Sequence, residues 1–248
     1  MFPFSFSEMV NHYGFLQEKM MLNHRLVYGY YPDIVNNQGE EKELLQQLSN
    51  SVLYKDILKF DSIQKTDKLI KLLQALAYQI GNQVSYNELA QLCGIDGKTV
   101  EKYIMILEQA YIIFRLKSYS RNLRNELKNT RKIYFCDNGL RNALIADFRH
   151  VEMRTDKGAL WENFMISERV KYLNYNGLWA NIWFWRTVEQ KEIDYIEEAD
   201  GQLSAYEFKW KNNAKVKAPK QFVENYINSK FTVIHRDNFE EFLINYEF

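Results

Sequence analysis

Four ionisable residues in the C-terminal part of the chain stand where they could act together: Glu162, Asp194, Glu207 and Lys209. The stretch EIDYIEEADGQLSAYEFKW, residues 192–210, reads as two apolar-alternating runs around Asp200-Gly201, a two-residue hairpin turn. In EIDYI, period-two alternation gives Ile193 and Tyr195 one side and Asp194 the other. In the second run Tyr206, Phe208 and Trp210 share a side, opposite Glu207 and Lys209. Upstream, Ala159, Glu162, Ile166, Val170 and Leu173 form a single helical stripe, which turns Glu162 toward the sheet. If Asp194 pairs beside Glu207 and Lys209, two strand carboxylates, one lysine and a helix-borne glutamate converge. Hard oxygen ligands of this kind suit Mg²⁺ or Mn²⁺. Such an ion lowers the pKa of a bound water and stabilises phosphorane-like charge, while the lysine orients water or neutralises charge. A Glu-x-Lys pair alone is common on strand surfaces; Asp194 and Glu162 are what make it a candidate site.

Composition allows this chemistry without naming a partner. The chain has 248 residues, is 46% hydrophobic and 26% charged, and carries 32 basic and 32 acidic residues. That is ordinary for a globular chain of one large domain or a few small ones, and any nucleic-acid surface must be a local patch. No apolar run approaches a membrane span, and the N-terminus lacks a signal pattern, so a cytoplasmic setting is expected. Cys93 and Cys136 fit no metal or redox spacing.

The elements that must position the four residues follow from periodicity and caps. Residues 1–64 read as a mostly helical segment, with Ser7 as a candidate cap and a break at Pro32. Residues 65–148 read as a winged helix-turn-helix. Leu69, Leu72, Leu73, Leu76 and Ile80 line a first helix, Ser85 and Glu88 form a capping box on a second, and Asp96 caps a third. Two strand-like runs, IIFRLKSY and KIYFCD, then flank the basic segment SRNLRNELKNTRK. The third helix presents Lys98, Thr99, Lys102 and Tyr103, and residues 96–132 hold nine basic against four acidic residues. This patch, with Arg121, Arg124 and Lys128 in the wing, is the candidate DNA contact; a protein-packing module with a solvated wing is the alternative. GIDGKT, residues 94–99, lacks the first glycine and the preceding strand of a phosphate-binding loop, so ATP binding is not expected here. Residues 149–248 read as helix, three strands, helix, strand, which makes the whole an α/β (α+β) chain. The aromatic run Trp179, Trp183, Phe184 and Trp185 reads as core, and Arg186 as either a phosphate clamp or a partner of Glu192 or Asp194.

Asp194, then Glu207-Phe208-Lys209, preceded by Glu162 on a helix, resembles the PD-(D/E)XK nuclease superfamily. The resemblance implies a restriction-endonuclease-like mixed sheet in which Asp194, Glu207 and the Phe208 main-chain carbonyl hold Mg²⁺ or Mn²⁺. It further implies that Lys209 assists the attacking water and that Glu162 supports the site. Over nearly its full length the chain also resembles the C-terminal region of a prokaryotic family of AAA-superfamily ATPases, through FPFSFSEM, RLVYGYYPDIV, SYNELAQLCGIDGKTVEKYIMILEQAYIIFRL, KIYFCDNGLRNAL, GALWENFMISE, EIDYI and YEFKW. In that family a P-loop ATPase domain precedes a winged helix and a nuclease-like domain of undetermined function. No P-loop is present here, and FPFSFSEM reads as the point where the ATPase domain ends, as in a truncated chain or a gene remnant. The implied function is a DNA-associated, nuclease-like module; the alternative is a non-catalytic DNA- or protein-binding module.

Overall fold

The computed structural model describes residues 2–51, 66–119, 131–212 and 215–244. Its N-terminal part is a chain of short helices, α1 (Phe6–Tyr13), α2 (Phe15–Met20), α3 (Leu22–Tyr28), α4 (Pro32–Asn36) and α5 (Glu41–Ser51). They are short because Gly14 and Gly29 break the ladder with φ of 89° and 73°. The first cap is Ser5, not Ser7: its side chain accepts from the Glu8 amide while Glu8 accepts from the Ser5 main chain.

Helices α6 (Thr66–Tyr78), α7 (Tyr86–Cys93) and α8 (Gly97–Gln109) follow, then β1 (Ile113–Ser118) and β2 (Arg131–Phe135). Ser85 caps α7, Gly94 ends it in the left-handed region, and Asp96 caps α8 through the Thr99 amide. The leucine stripe of α6 packs with Leu89, Val100, Ile104 and Leu107 into one core. Tyr103 belongs to that buried set, not to the outer face of α8, because it falls beside Val100 and Ile104 on the helix.

Next come α9 (Asn138–Leu144), a 3-10 turn (Val151–Met153), the long α10 (Lys157–Tyr175), β3 (Asn181–Arg186), β4 (Glu192–Ala199), β5 (Gln202–Phe208), α11 (Lys220–Asn225), β6 (Lys230–Ile234) and α12 (Glu240–Leu243). The strands form one mixed sheet in the order β2-β1-β3-β4-β5-β6, with β1/β3 and β5/β6 parallel and the other pairs antiparallel. The pair β1 and β2 is thus continuous with the C-terminal sheet, joined to β3 at Lys117–Trp183 and Ser118–Phe184. At the β4–β5 turn Asp200 and Gly201 both have positive φ, 49° and 75°, as a tight two-residue hairpin requires.

On one side the sheet packs against α10 through Phe184, Tyr195, Phe208, Trp161, Phe164 and Met165. On the other Trp185, Ile193, Ile196 and Ala205 meet Phe222 and Tyr226 around α11. Trp179 joins neither and is 94% exposed, because it lies in the turn after α10 and before β3. The N-terminal segment is tied to α10: Phe6 donates its amide to Glu168 at 2.7 Å, and Lys171 donates to the Phe4 carbonyl at 2.7 Å. Loop and helix meet tightly where Asp137 accepts from the Tyr30 amide (2.7 Å) and the Leu140 amide (3.1 Å).

Candidate acidic centre

Strand alternation alone would set Ile193 and Tyr195 on the same side, but β4 carries a bulge. Trp183 pairs with Ile196 and Trp185 with Ile193, so Asp194 and Tyr195 together oppose the single residue Phe184. Ile193 consequently packs toward α11 and Tyr195 toward α10. The bulge re-aims the strand at the position of the candidate aspartate. The β4–β5 register, continued by one residue from Tyr195–Tyr206, places Asp194 opposite Glu207.

Helix α10 reaches the same region because an asparagine docks it on the edge of the sheet. Asn163 accepts from the Phe135 amide at 2.8 Å and donates to its carbonyl at 3.0 Å, satisfying the edge of β2. One position earlier, Glu162 lies over β2. Its Oε1 accepts from the Tyr134 hydroxyl at 2.6 Å and from Lys132 Nζ at 3.1 Å. Lys132 is buried, with its ammonium 5.6 Å from the centre of the Phe184 ring, and it also contacts Glu192 Oε1. Arg186 pairs with Glu192 Oε2 at 2.8 Å, which realises the ion-pair reading of that arginine. In the orientation that satisfies both ends of its amide, Gln83 accepts from Arg186 Nε and Nη1 at 3.2 and 3.1 Å.

Each acid but one has a cation beside it. Glu162 and Glu192 share Lys132, Glu192 also has Arg186, and Glu207 holds Lys209 Nζ at 2.6 Å. Asp194 forms no ion pair among the described residues; it accepts the Phe208 amide at 2.9 Å. Burial raises its pKa well above the usual carboxylate value, and the facing Glu162 and Glu207 raise it further, against the opposing pull of Lys132 and the Phe208 amide. Burial works against the Lys132 ammonium, but Glu162, Asp194 and Glu192 outweigh it and hold the lysine above its ordinary value. Burial likewise opposes the Lys209 charge, and the Glu207 hydrogen bond and charge, with Asp194 and Glu162, together raise its pKa above the ordinary value.

The four residues picked out by spacing therefore lie in one neighbourhood, and Lys132, Tyr134, Glu192 and Arg186 complete it. Lys132 gave no signal as an internal residue, since it sits at the end of a basic run that reads as solvated. Among the described residues no three His, Cys, Asp or Glu side chains form a group that could hold a metal ion. The Asp194 and Glu207 carboxylates and the main-chain oxygen of Phe208 are donors of the hard oxygen type that suits a divalent cation. Of these, Asp194 is buried and forms no ion pair among the described residues.

The basic residues divide. Lys98 and Lys102 are exposed on α8, whereas Thr99 is engaged in the cap, its hydroxyl 2.6 Å from Asp96 Oδ2. Arg115 is paired with Glu108 at 2.6 Å and Lys132 is buried, so neither adds to a solvent-facing patch. Arg121, Arg124 and Lys128 lie outside the described residues. No helix of the described residues is long and apolar enough to cross a membrane.

Residues 157–245 match a domain of unknown function, DUF4143, and residues 20–150 match another, DUF8612. Uncharacterized proteins of Mycobacterium tuberculosis and Mycobacterium bovis are each 29% identical over 136 residues, covering 54% of this chain and 30% of theirs. An uncharacterized protein of Haemophilus influenzae is 25% identical over 175 residues, covering 68% of this chain and 41% of its own. The chain thus spans less than half the length of these relatives. No solved structure matches it. The match over residues 20–150 takes in more than half of the chain, which therefore belongs to the DUF8612 family, a domain of unknown function.

Proposed function

We propose that this chain is the DNA-associated, nuclease-like part of an AAA-type ATPase, working in the cytoplasm, and that its acidic centre takes Mg²⁺ or Mn²⁺ for phosphodiester hydrolysis. The observation that carries this reading is the charge balance at Asp194: a buried carboxylate faces Glu162 and Glu207 and forms no ion pair among the described residues. Asp194, Glu207 and the Phe208 carbonyl would hold the ion. Bound there, it would activate water as a Lewis acid and neutralise charge building at phosphorus. Lys209 stands beside Glu207 on the same strand, where its ammonium can turn from the carboxylate to orient the attacking water. Glu162, fixed by Tyr134 and Lys132, would order water around the ion through its carboxylate. Lys98 and Lys102, with Arg121, Arg124 and Lys128, would meet the phosphates of the duplex. Support for the ATPase partner comes from DUF4143, which occurs in AAA-ATPase-associated proteins.

A second reading, a non-catalytic DNA- or protein-binding module, draws on the 2.6 Å Lys209–Glu207 pair, which already neutralises one of the two strand acids. Calorimetric titration separates the two. The nuclease-like reading expects saturable Mn²⁺ binding by wild type, its loss in the Asp194→Asn/Glu207→Gln double variant, and Mn²⁺-dependent cutting of duplex DNA by wild type. Identical titrations for both proteins would remove the metal assignment; binding without cutting under any divalent cation would leave the module reading.

A further inference from the structure

We infer that the Lys132 ammonium fills the place of a second cation, so that the acidic centre accepts one divalent ion and not two. The inference rests on the metal reading of Asp194 and Glu207 and concerns a residue that reading did not use. Lys132 comes from β2, is 1% exposed, and brings its ammonium to the acids beneath the Phe184 ring. Glu162 Oε1 lies 3.1 Å from it and Glu192 Oε1 is in direct contact. Both carboxylates are held from behind, Glu162 by the Tyr134 hydroxyl at 2.6 Å and Glu192 by Arg186 at 2.8 Å. Two acids from different elements thus converge on one nitrogen, as they would on a metal ion bridging α10 and β4.

Charge sets the count. With Asp194 ionised, as metal binding requires, Glu162, Glu192, Asp194 and Glu207 set four negative charges against the three positive charges of Lys132, Arg186 and Lys209, a deficit of one positive charge. One divalent ion at Asp194 and Glu207 reverses that deficit to a single excess. A second would have to sit against a buried ammonium held by Glu162 and Glu192, where the weakly polarisable surroundings leave the repulsion between like charges largely unscreened. The alternative, deprotonating Lys132, is opposed by the three acids around it. A neutral side chain at 132 removes the repulsion and leaves Glu162 and Glu192 converging on open space.

Mn²⁺ stoichiometry tests this, read by calorimetry on the full chain and by electron paramagnetic resonance, in which two neighbouring Mn²⁺ ions broaden each other's signal. Wild type is expected to bind one ion, and Lys132→Met two, with the broadened spectrum. Lys132→Gln, which keeps a donor for Glu162, is the second variant should Lys132→Met fail to fold. A lysine with a purely structural role would lower the melting temperature when replaced and leave the count at one. Two ions in wild type, or one in the folded variants, overturns this inference alone. No ion in wild type overturns the metal reading and this inference with it. Two ions in wild type end the inference whatever the variants do.

Discussion

Phe208 donates its main-chain N–H to Asp194 Oδ2 at 2.9 Å, across the β4–β5 pairing, and no cation joins them among the described residues. Asp194→Asn keeps an oxygen to accept that hydrogen bond and removes the charge facing Glu162 and Glu207. In metal-free protein the variant should therefore be more stable, on the order of 1 kcal/mol. Thermal melts in excess chelator should show the rise, and melts in Mn²⁺ should reverse the order, because only wild type gains from the ion. A variant less stable than wild type in both conditions would mean that Asp194 is a structural partner and not an unmet charge.

Glu168 should make stability fall as pH rises through neutrality. Burial lifts its pKa from 4.5 to about 7, against the pull of Lys171 and the Phe6 amide. A carboxyl whose folded pKa is raised binds its proton more tightly in the native state. That contribution is fully present below 4.5 and is lost as pH climbs through about 7. A shift of this size corresponds to on the order of 3 kcal/mol. Urea denaturation at pH 5 and pH 8 should show wild type losing more stability over the interval than Glu168→Gln; parallel losses would exclude the assignment.

Gly29 cannot carry a side chain. Its φ is 73°, and a Cβ there would stand 2.0 Å from Asp137 Oδ1, the carboxylate that accepts the Tyr30 and Leu140 amides. Gly29→Ala should cost more than about 2 kcal/mol. Gly94→Ala is the control, since that glycine also has positive φ but its Cβ would meet nothing nearer than Lys68 Nζ at 3.6 Å. The control should lose only about 1 kcal/mol. Gly29 also combines its positive φ with ψ of −157°, against 44° at Gly94, so a loss at Gly29 no larger than at Gly94 in denaturant titrations would overturn the exclusion of a side chain there.

Duplex DNA binding, if it uses the basic segment, should be salt-steep and tolerant of sequence. Reversing Arg121, Arg124 and Lys128 to Glu should weaken binding and flatten the salt dependence by about 1 for each phosphate no longer neutralised. Lys98 and Lys102 on α8 offer a second set to reverse. Fluorescence anisotropy of a labelled duplex from low to moderate salt measures both the affinity and its slope, and wild type that binds nothing at low salt would close the question.

Local signals carried much of the architecture. Asp200-Gly201 marks a hairpin because both residues must take positive φ, and Asp96 marks a helix start because its carboxylate answers an orphan amide. What sequence could not show depended on distant pairing. The bulge that separates Ile193 from Tyr195 exists only once Phe184 lies opposite, and no pattern within EIDYI encodes it. Lys132 looks solvated beside its basic neighbours and becomes internal only when α10 brings Glu162 and β4 brings Glu192. Trp179 misled in the other sense, since an aromatic run suggests core while a turn exposes its first member.

The seam between β1 and β3 bears on how such chains can be inherited. β1 lies in the stretch that matches one domain and β3 in the stretch that matches another, yet they share main-chain hydrogen bonds, including Tyr119 N–H to the Phe184 carbonyl at 2.6 Å. A genetic crossover in the short connection between residues 150 and 157 would leave each half with an open strand edge, prone to pair with any chain that offers one. Two segments joined in this way cover each other's strand edges only while they stay together, so an exchange of either should succeed only when the newcomer brings a matching edge.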